Sequence, residues 1–347
     1  MRDVAPWQVG LWDRTAARAR QGTLPHALLL VGADGVGKRA FAERLAAFLL
    51  CQQRDSAPCG RCRSCQLFAV RSQRDPEETR PDGSLSHPEG YPGHPDARFV
   101  GFGWNDKSKK TYTEIVVEQV RELSAWLALT PQLGRAQVVL IEPADAMNTA
   151  AANALLKTLE EPNDARYLLL VTAHPARLPA TIRSRCQRLV FDLPSSATAS
   201  AWLIQQGLDQ ARAAAALDAS GGNPGLALEW AASDRIALRA AVGADLRSLH
   251  QAGARATDVA NAWAKSEPIA RLWFAARLVQ EESHALARGA RGPLALTATA
   301  DLTKLAAWFD QANLARELLR GPLRTDLVLL ELLLEWKALA PQKARVA

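Results

Sequence analysis

The stretch from Ala27 to Lys38, ALLLVGADGVGK, constrains this chain more than any other part of it. An unbroken apolar run, Ala27 to Val31, reads as a buried strand, and a helical pattern follows from about Lys38 to Leu50. Between them Gly32, Gly35 and Gly37 free the backbone so that successive N–H groups can point at one anion. Strand, glycine-rich turn and helix form a phosphate cradle, in which a lysine, here Lys38, reaches the terminal phosphates. Such a strand is buried on both faces and needs parallel neighbours, so the loop commits the chain to an α/β sheet covered by helices.

The rest of the first half supplies those neighbours. IVVEQVRELSAWLAL places Val116, Val120, Leu123 and Leu127 on one helical face, AQVVLIEP and RYLLLVTAHP read as buried strands, and NTAAANALLKTLEEP reads as a helix closed by Pro162. Between them lies RSQRDPEETRPDGSLSHPEGYPGHPDARF, rich in proline, glycine and charge. Its composition predicts a long exposed loop, about 71–97, that carries no core. Beyond RLVFDLP the text becomes rich in Ala, Leu and Arg at helical spacing, with a break at SGGNPGLALEW, which predicts a small helical domain and then a larger one.

The phosphate loop is incomplete. Its motif calls next for a hydroxyl that ligates a magnesium ion, and Arg39 stands there, a cation with no acceptor atom. An acidic pair should follow the strand VVLI, but the residues are Glu142 and Pro143. Glu142 could still reach a metal; Pro143 has no group that polarises water. Both departures remove the same chemistry, so intrinsic ATP hydrolysis is not expected. Lys38 leaves nucleotide binding open.

Cys51, Cys59, Cys62 and Cys65 cluster, whereas Cys186 stands alone. Two C-x-x-C links and a longer arm suit a closed tetrahedral thiolate site, and in a reducing compartment such a cluster argues for metal over disulfides. Met1-Arg2-Asp3-Val4 lacks the layout of a secretory signal, and the chain is expected to be cytoplasmic. The net charge of +6 over 347 residues favours polyanions only weakly, since arginine is spread along the chain. Trp7, Trp12, Trp126 and Trp230 are expected in cores or interfaces, and His26 in a packed or hydrogen-bonded setting.

NALLKTLEEP, followed by TIRSRCQRLVF and placed after the glycine-rich loop and the module CGRCRSC, closely resembles the clamp-loader branch of the AAA+ proteins. Recognisable motifs run from about Pro25 to Phe191, apart from the long loop, and the helical remainder agrees in layout. The resemblance implies an α/β, P-loop NTPase-like AAA+ core over residues 1–192, with a structural zinc module at 51–65, a helical lid at 193–235 and an all-α collar for oligomerisation at 236–347. It also implies a non-motor subunit of a replicative DNA polymerase holoenzyme, with no polymerase site of its own. Its partners would be the motor subunits gamma or tau and the delta subunit. Through that assembly it would act on the sliding clamp and primed DNA.

By the same resemblance Arg185, flanked by Ser184 and Cys186, matches an arginine finger presented to a neighbour's ATP site. Gly225 falls where ATP-using relatives carry a nucleotide-sensing arginine, and Cys51, Cys59, Cys62 and Cys65 match a structural zinc site. Two other readings stay open at this stage: an autonomous AAA+ ATPase with a variant loop, and a zinc-dependent DNA-binding module.

Overall fold

The computed structural model describes residues 3–339 other than 54, 82–83, 134, 162, 234, 252, 297–300 and 320–322. Pro162 therefore lies outside the described residues. The chain divides into two compact units, Met1–Leu228 and Glu229–Ala347.

In the first unit a short 3-10 turn, Pro6–Gln8, leads into α1 (Val9–Arg20), β1 (Ala27–Gly32), α2 (Lys38–Leu50) and α3 (Arg63–Ala69). After α3 come the short strands β2 (Arg71–Ser72) and β3 (Tyr91–Pro92), then β4 (Ala97–Val100) and the hairpin β5 (Trp104–Asn105) and β6 (Lys110–Thr111). Next are α4 (Val117–Leu127), β7 (Gln137–Ile141), α5 (Thr149–Glu160), β8 (Arg166–Thr172), α6 (Ala180–Arg185) and β9 (Gln187–Phe191). Three short helices follow: α7 (Ser196–Gln205), α8 (Gln210–Ala219) and α9 (Pro224–Ala231).

Five strands form one parallel sheet in the order β4-β7-β8-β1-β9. Alternate residues feed two cores, as the pleat requires. Leu28 and Leu30, with Leu140, Leu169 and Phe191, meet Phe41, Leu45 and Phe48 of α2 on one face. Leu29, Ile141, Leu168 and Leu170 meet Leu123 of α4, Leu155 of α5 and Ile182 of α6 on the other. Each fully buried side chain of this size contributes about 1.5–3 kcal/mol, so central strands apolar on both faces anchor the unit. The phosphate loop after β1 and Glu142 after β7 consequently emerge at the same carboxyl edge, the usual ligand side of such sheets.

The segment expected to be an exposed loop without core is built otherwise. β2 and β3 pair antiparallel, and Glu78, Ser86 and His87 are buried. The Tyr91 hydroxyl donates to Glu78, whose other carboxylate oxygen pairs with Arg74. Ser86 Oγ accepts from Phe102 N at 3.1 Å. Apolar periodicity cannot register a segment that enters the interior through paired polar groups.

The second unit is helical: α10 (Arg235–His250), α11 (Ala256–Lys265), α12 (Pro268–Ala287), α13 (Leu302–Leu318) and α14 (Thr325–Ala338). Trp263, Trp308 and Trp336 are fully buried in it. Each indole N–H is satisfied, by Asp245 Oδ2 at 2.8 Å, Leu332 O at 2.9 Å and Leu246 O at 2.8 Å respectively. Trp126 and Trp230 are likewise buried, Trp12 packs partly buried against the core of the first unit, and His26 Nε2 lies 3.0 Å from Leu159 O. No helix among the described residues is long and apolar enough to cross a membrane.

Candidate functional site

At the carboxyl edge of the sheet the glycine-rich loop turns into α2 with Gly35 at φ 76° and Gly37 at φ 96°, left-handed values that glycine adopts without steric cost. Lys38 is buried, and its Nζ donates to the loop's own carbonyls, Gly32 O at 2.7 Å and Ala33 O at 2.6 Å. Burial lowers its pKa; Asp34, Glu142 and Asp145 act against that shift. Trp7 Nε1 and Gln8 Nε2 both donate to Val36 O, at 3.2 and 2.9 Å, so the chain's first turn closes on the loop.

The lid side of the loop is equally tight. Asn223 Nδ2 donates to Asp34 O, and a side chain built at Gly225 would place Cβ 1.9 Å from Gly35 O. An arginine at 225 is therefore incompatible with this packing. The glycine is what lets the N-terminus of α9 rest on the loop.

Arg39 does more than lack a hydroxyl. Its Nη1 donates to Glu142 Oε2 at 2.6 Å, and its Nε donates to Glu43 Oε1 at 2.6 Å, one helical turn further along α2. Arg71 Nη2 holds the other Glu43 oxygen at 2.9 Å, and Phe99 lies beneath the Arg39 guanidinium at 5.1 Å. Burial opposes the charge on Arg39, but Glu142 and then Glu43 outweigh it and its pKa is raised. Glu142, read from sequence as still able to reach a metal, is thus neutralised by the residue that replaces the metal's hydroxyl ligand.

His87 completes the cluster, 2.7 Å from Arg39 Nη1 through Nδ1. A guanidinium only donates, so Nδ1 accepts and the ring proton sits on Nε2. Sequence reasoning found neither His87 nor Arg71. The Arg39–Glu43 spacing of one turn was the available signal for Glu43.

Elsewhere, the four clustered cysteines come together as expected. All four sulfurs lie within 4.8 Å of one another, with Cys51–Cys62 at 3.9 Å and Cys59–Cys65 at 4.0 Å. A tetrahedron with metal–sulfur bonds of about 2.3 Å has edges of about 3.8 Å, so the set fits one ion with no open position. Backbone N–H groups of Cys59, Cys62 and Cys65 point at Cys51, Cys59 and Cys62 sulfurs, at 3.4, 3.3 and 3.4 Å. Hydrogen bonds from the Arg61 and Cys62 backbone push the Cys59 thiol down to about 6, whereas burial pushes Cys51 and Cys65 up. Cys186 is separate and buried.

Arg185 ends α6, 36% exposed, with Nη2 2.5 Å from Glu160 Oε1 and Nη1 donating to Thr181 O at 3.0 Å. Ser184 beside it is exposed and bonds Thr181 O at 3.1 Å. The guanidinium stands at the surface, held by a partner that solvent screens strongly.

Residues 7–195 match the family model described as DNA polymerase III, delta subunit. The chain is 38% identical over 279 residues to DNA polymerase III subunit delta' of Pseudomonas aeruginosa, covering 79% of this chain and 76% of that one. With the subunit of the same name from Escherichia coli it shares 36% identity over 225 residues, covering 64% of this chain and 59% of the relative. Among solved structures, a DNA polymerase III gamma subunit-related protein of Thermotoga maritima aligns with TM-score 0.42 and 14% identity, covering 93% of this chain and 99% of that chain.

Two outcomes follow from this geometry. His87 is buried against Arg39, Arg80, Arg74 and Arg71, with Tyr91 and Phe99 packed on its ring, and burial first, then these cations, holds its pKa well below the ordinary value. Below a pH of about 6.5 the unfolded chain takes up a proton that the folded chain refuses, so this residue alone should cost about 1.4 kcal/mol of stability per unit of pH lost. Denaturant titrations of wild type and His87→Gln between pH 7 and 5 check this: the variant should show a shallower acid slope, and parallel slopes would contradict it. For the cysteine site, metal analysis should find about one ion per chain, lost in Cys62→Ser. A wild-type protein purified without chelators and free of metal would contradict the site.

Proposed function

The chain belongs to the family of DNA polymerase III delta-prime subunits, and from that premise we propose that it is a non-motor subunit of a clamp loader whose own nucleotide site is vestigial. The observation that carries this reading is the Arg39–Glu142 ion pair, which joins loop and β7 where a metal ion would otherwise bridge them. The vestigial site comprises Gly32, Gly35, Gly37, Lys38, Arg39 and Glu142. Its lysine is turned onto its own loop, and Gly225 takes the place of a nucleotide-sensing side chain.

In this reading the chain serves a neighbouring gamma or tau subunit, with delta as a further partner, in loading the sliding clamp onto primed DNA in the cytoplasm. Arg185 is the residue it lends. Its bond to Glu160 is the exposed kind that contributes little, so exchange for a neighbour's phosphate oxygens costs little and places a guanidinium where charge develops. The metal at Cys51, Cys59, Cys62 and Cys65 is zinc in a structural role, since four thiolates leave no position for water or substrate. Cys51 ends α2 and Cys65 sits in α3, so the ion would pin the end of the loop helix to the next element. α7, α8 and α9 act as the lid, and the helices of the second unit as the collar.

The test is DNA- and clamp-stimulated ATP turnover by the reconstituted loader, comparing wild type with Arg185→Ala at equal stoichiometry. A finger is worth roughly 10³-fold or more at its own site, so a loader whose sites act together should lose at least about half its turnover with assembly intact. Unchanged turnover would remove Arg185 from the chemistry.

A further inference from the structure

The segment 71–97 and the β5–β6 hairpin build a second feature that neither the loop nor the cysteine site explains. Between them lies an open pocket of about 450 Å³. Trp104 and Tyr112 supply aromatic surface, and Arg80, Lys109 and Lys110 supply positive charge. Among the described lining residues Glu77 is the only acid.

Hydrogen bonds tie this wall together. Thr79 of that segment bonds Thr111 of β6, with its N–H 3.3 Å from Thr111 Oγ1, so the two segments are tied together. Asn105 Oδ1 accepts from Lys107 N at 3.0 Å and Ser108 N at 3.2 Å, and Asn105 O accepts from Lys109 N at 2.8 Å, which fixes the hairpin turn. The cations are nevertheless available. Among the described residues the Lys109 side chain pairs only with Asp106, at 3.8 Å with both side chains more than 70% exposed, a pair that solvent screens. Arg80 is half-buried and lines the pocket, with its Nε buried and without a hydrogen-bond partner among the described residues.

We propose that this pocket, formed by Arg80, Trp104, Lys109, Lys110 and Tyr112, binds a segment of single-stranded nucleic acid, one base against the aromatic wall and its flanking phosphates on the cations. Stacking requires an unpaired base, which a duplex does not offer, and sequence-tolerant binding of single strands uses this combination of π-face and basic rim. The pocket has room for one base and its sugar, not for a duplex. The net charge of +6 adds a general attraction for polyanions, and the pocket gives it a place.

The experiment is fluorescence anisotropy of a labelled oligodeoxythymidine with the isolated full chain over a range of salt, with a labelled duplex of equal length in parallel; the subunit role is not needed for it. Lys109→Ala/Lys110→Ala should weaken single-strand binding on the order of tenfold and lower the slope of log Kd against log salt by about 1.4, the share of two phosphate contacts. Trp104→Ala should weaken it at least about fivefold without changing the slope, and Trp104→Phe should restore it. Arg288→Ala/Lys304→Ala removes the same charge from exposed positions elsewhere and should leave binding near wild type. The proposal is overturned if that control loses as much as the lysine pair, if Trp104→Ala binds like wild type, or if the duplex binds more tightly than the single strand.

Discussion

The guanidinium of Arg39 stands at the position where the phosphate-loop motif calls for a metal-ligating hydroxyl, and it ties two acidic residues together. A magnesium ion would draw the start of α2 and the end of β7 toward a shared charge. Here Nη1 reaches Glu142 and Nε reaches Glu43 at 2.6 Å each, so the same two elements are joined by a charge that is part of the chain. The group is largely buried, its planar fork fits two carboxylates at once, and Arg71 balances the second one. Removing Arg39 would leave two carboxylates facing each other in the interior, the costly half of a broken buried pair.

The surroundings close tightly around that clasp. His87 packs against the clasp because its imidazole stays neutral and accepts a hydrogen bond from Arg39. Gly225 lets α9 settle on Gly35, and Trp7 and Gln8 cover Val36. Lys38 satisfies its ammonium on the carbonyls of Gly32 and Ala33. These contacts pack the loop on both sides. That property suits a subunit proposed to hold Arg185 in place for a neighbour.

Much of this was legible in the residues themselves. β1, β7 and β8 announce themselves as continuous apolar runs, and α2 spans Lys38–Leu50 as its periodicity requires. The loss of the hydroxyl at Arg39 and the thiolate spacing of the four cysteines are local facts of sequence. What stayed hidden depends on elements distant in the chain. The Arg39–Glu142 bond spans 103 positions and exists only because the sheet order brings the ends of β1 and β7 to one edge. The segment 71–97 misled because its buried groups are polar: Glu78, Ser86 and His87 enter through hydrogen bonds and ion pairs, which a count of apolar residues cannot see.

The central claim is that a covalently attached cation has taken over the metal's place and ended the loop's own chemistry. ATP turnover by the purified chain alone, with magnesium present and Lys38→Ala as the matched control, tests it most directly. The account predicts that wild type and Lys38→Ala are indistinguishable at background. Turnover by the wild-type chain that Lys38→Ala abolishes would contradict it and make this an ATPase in its own right.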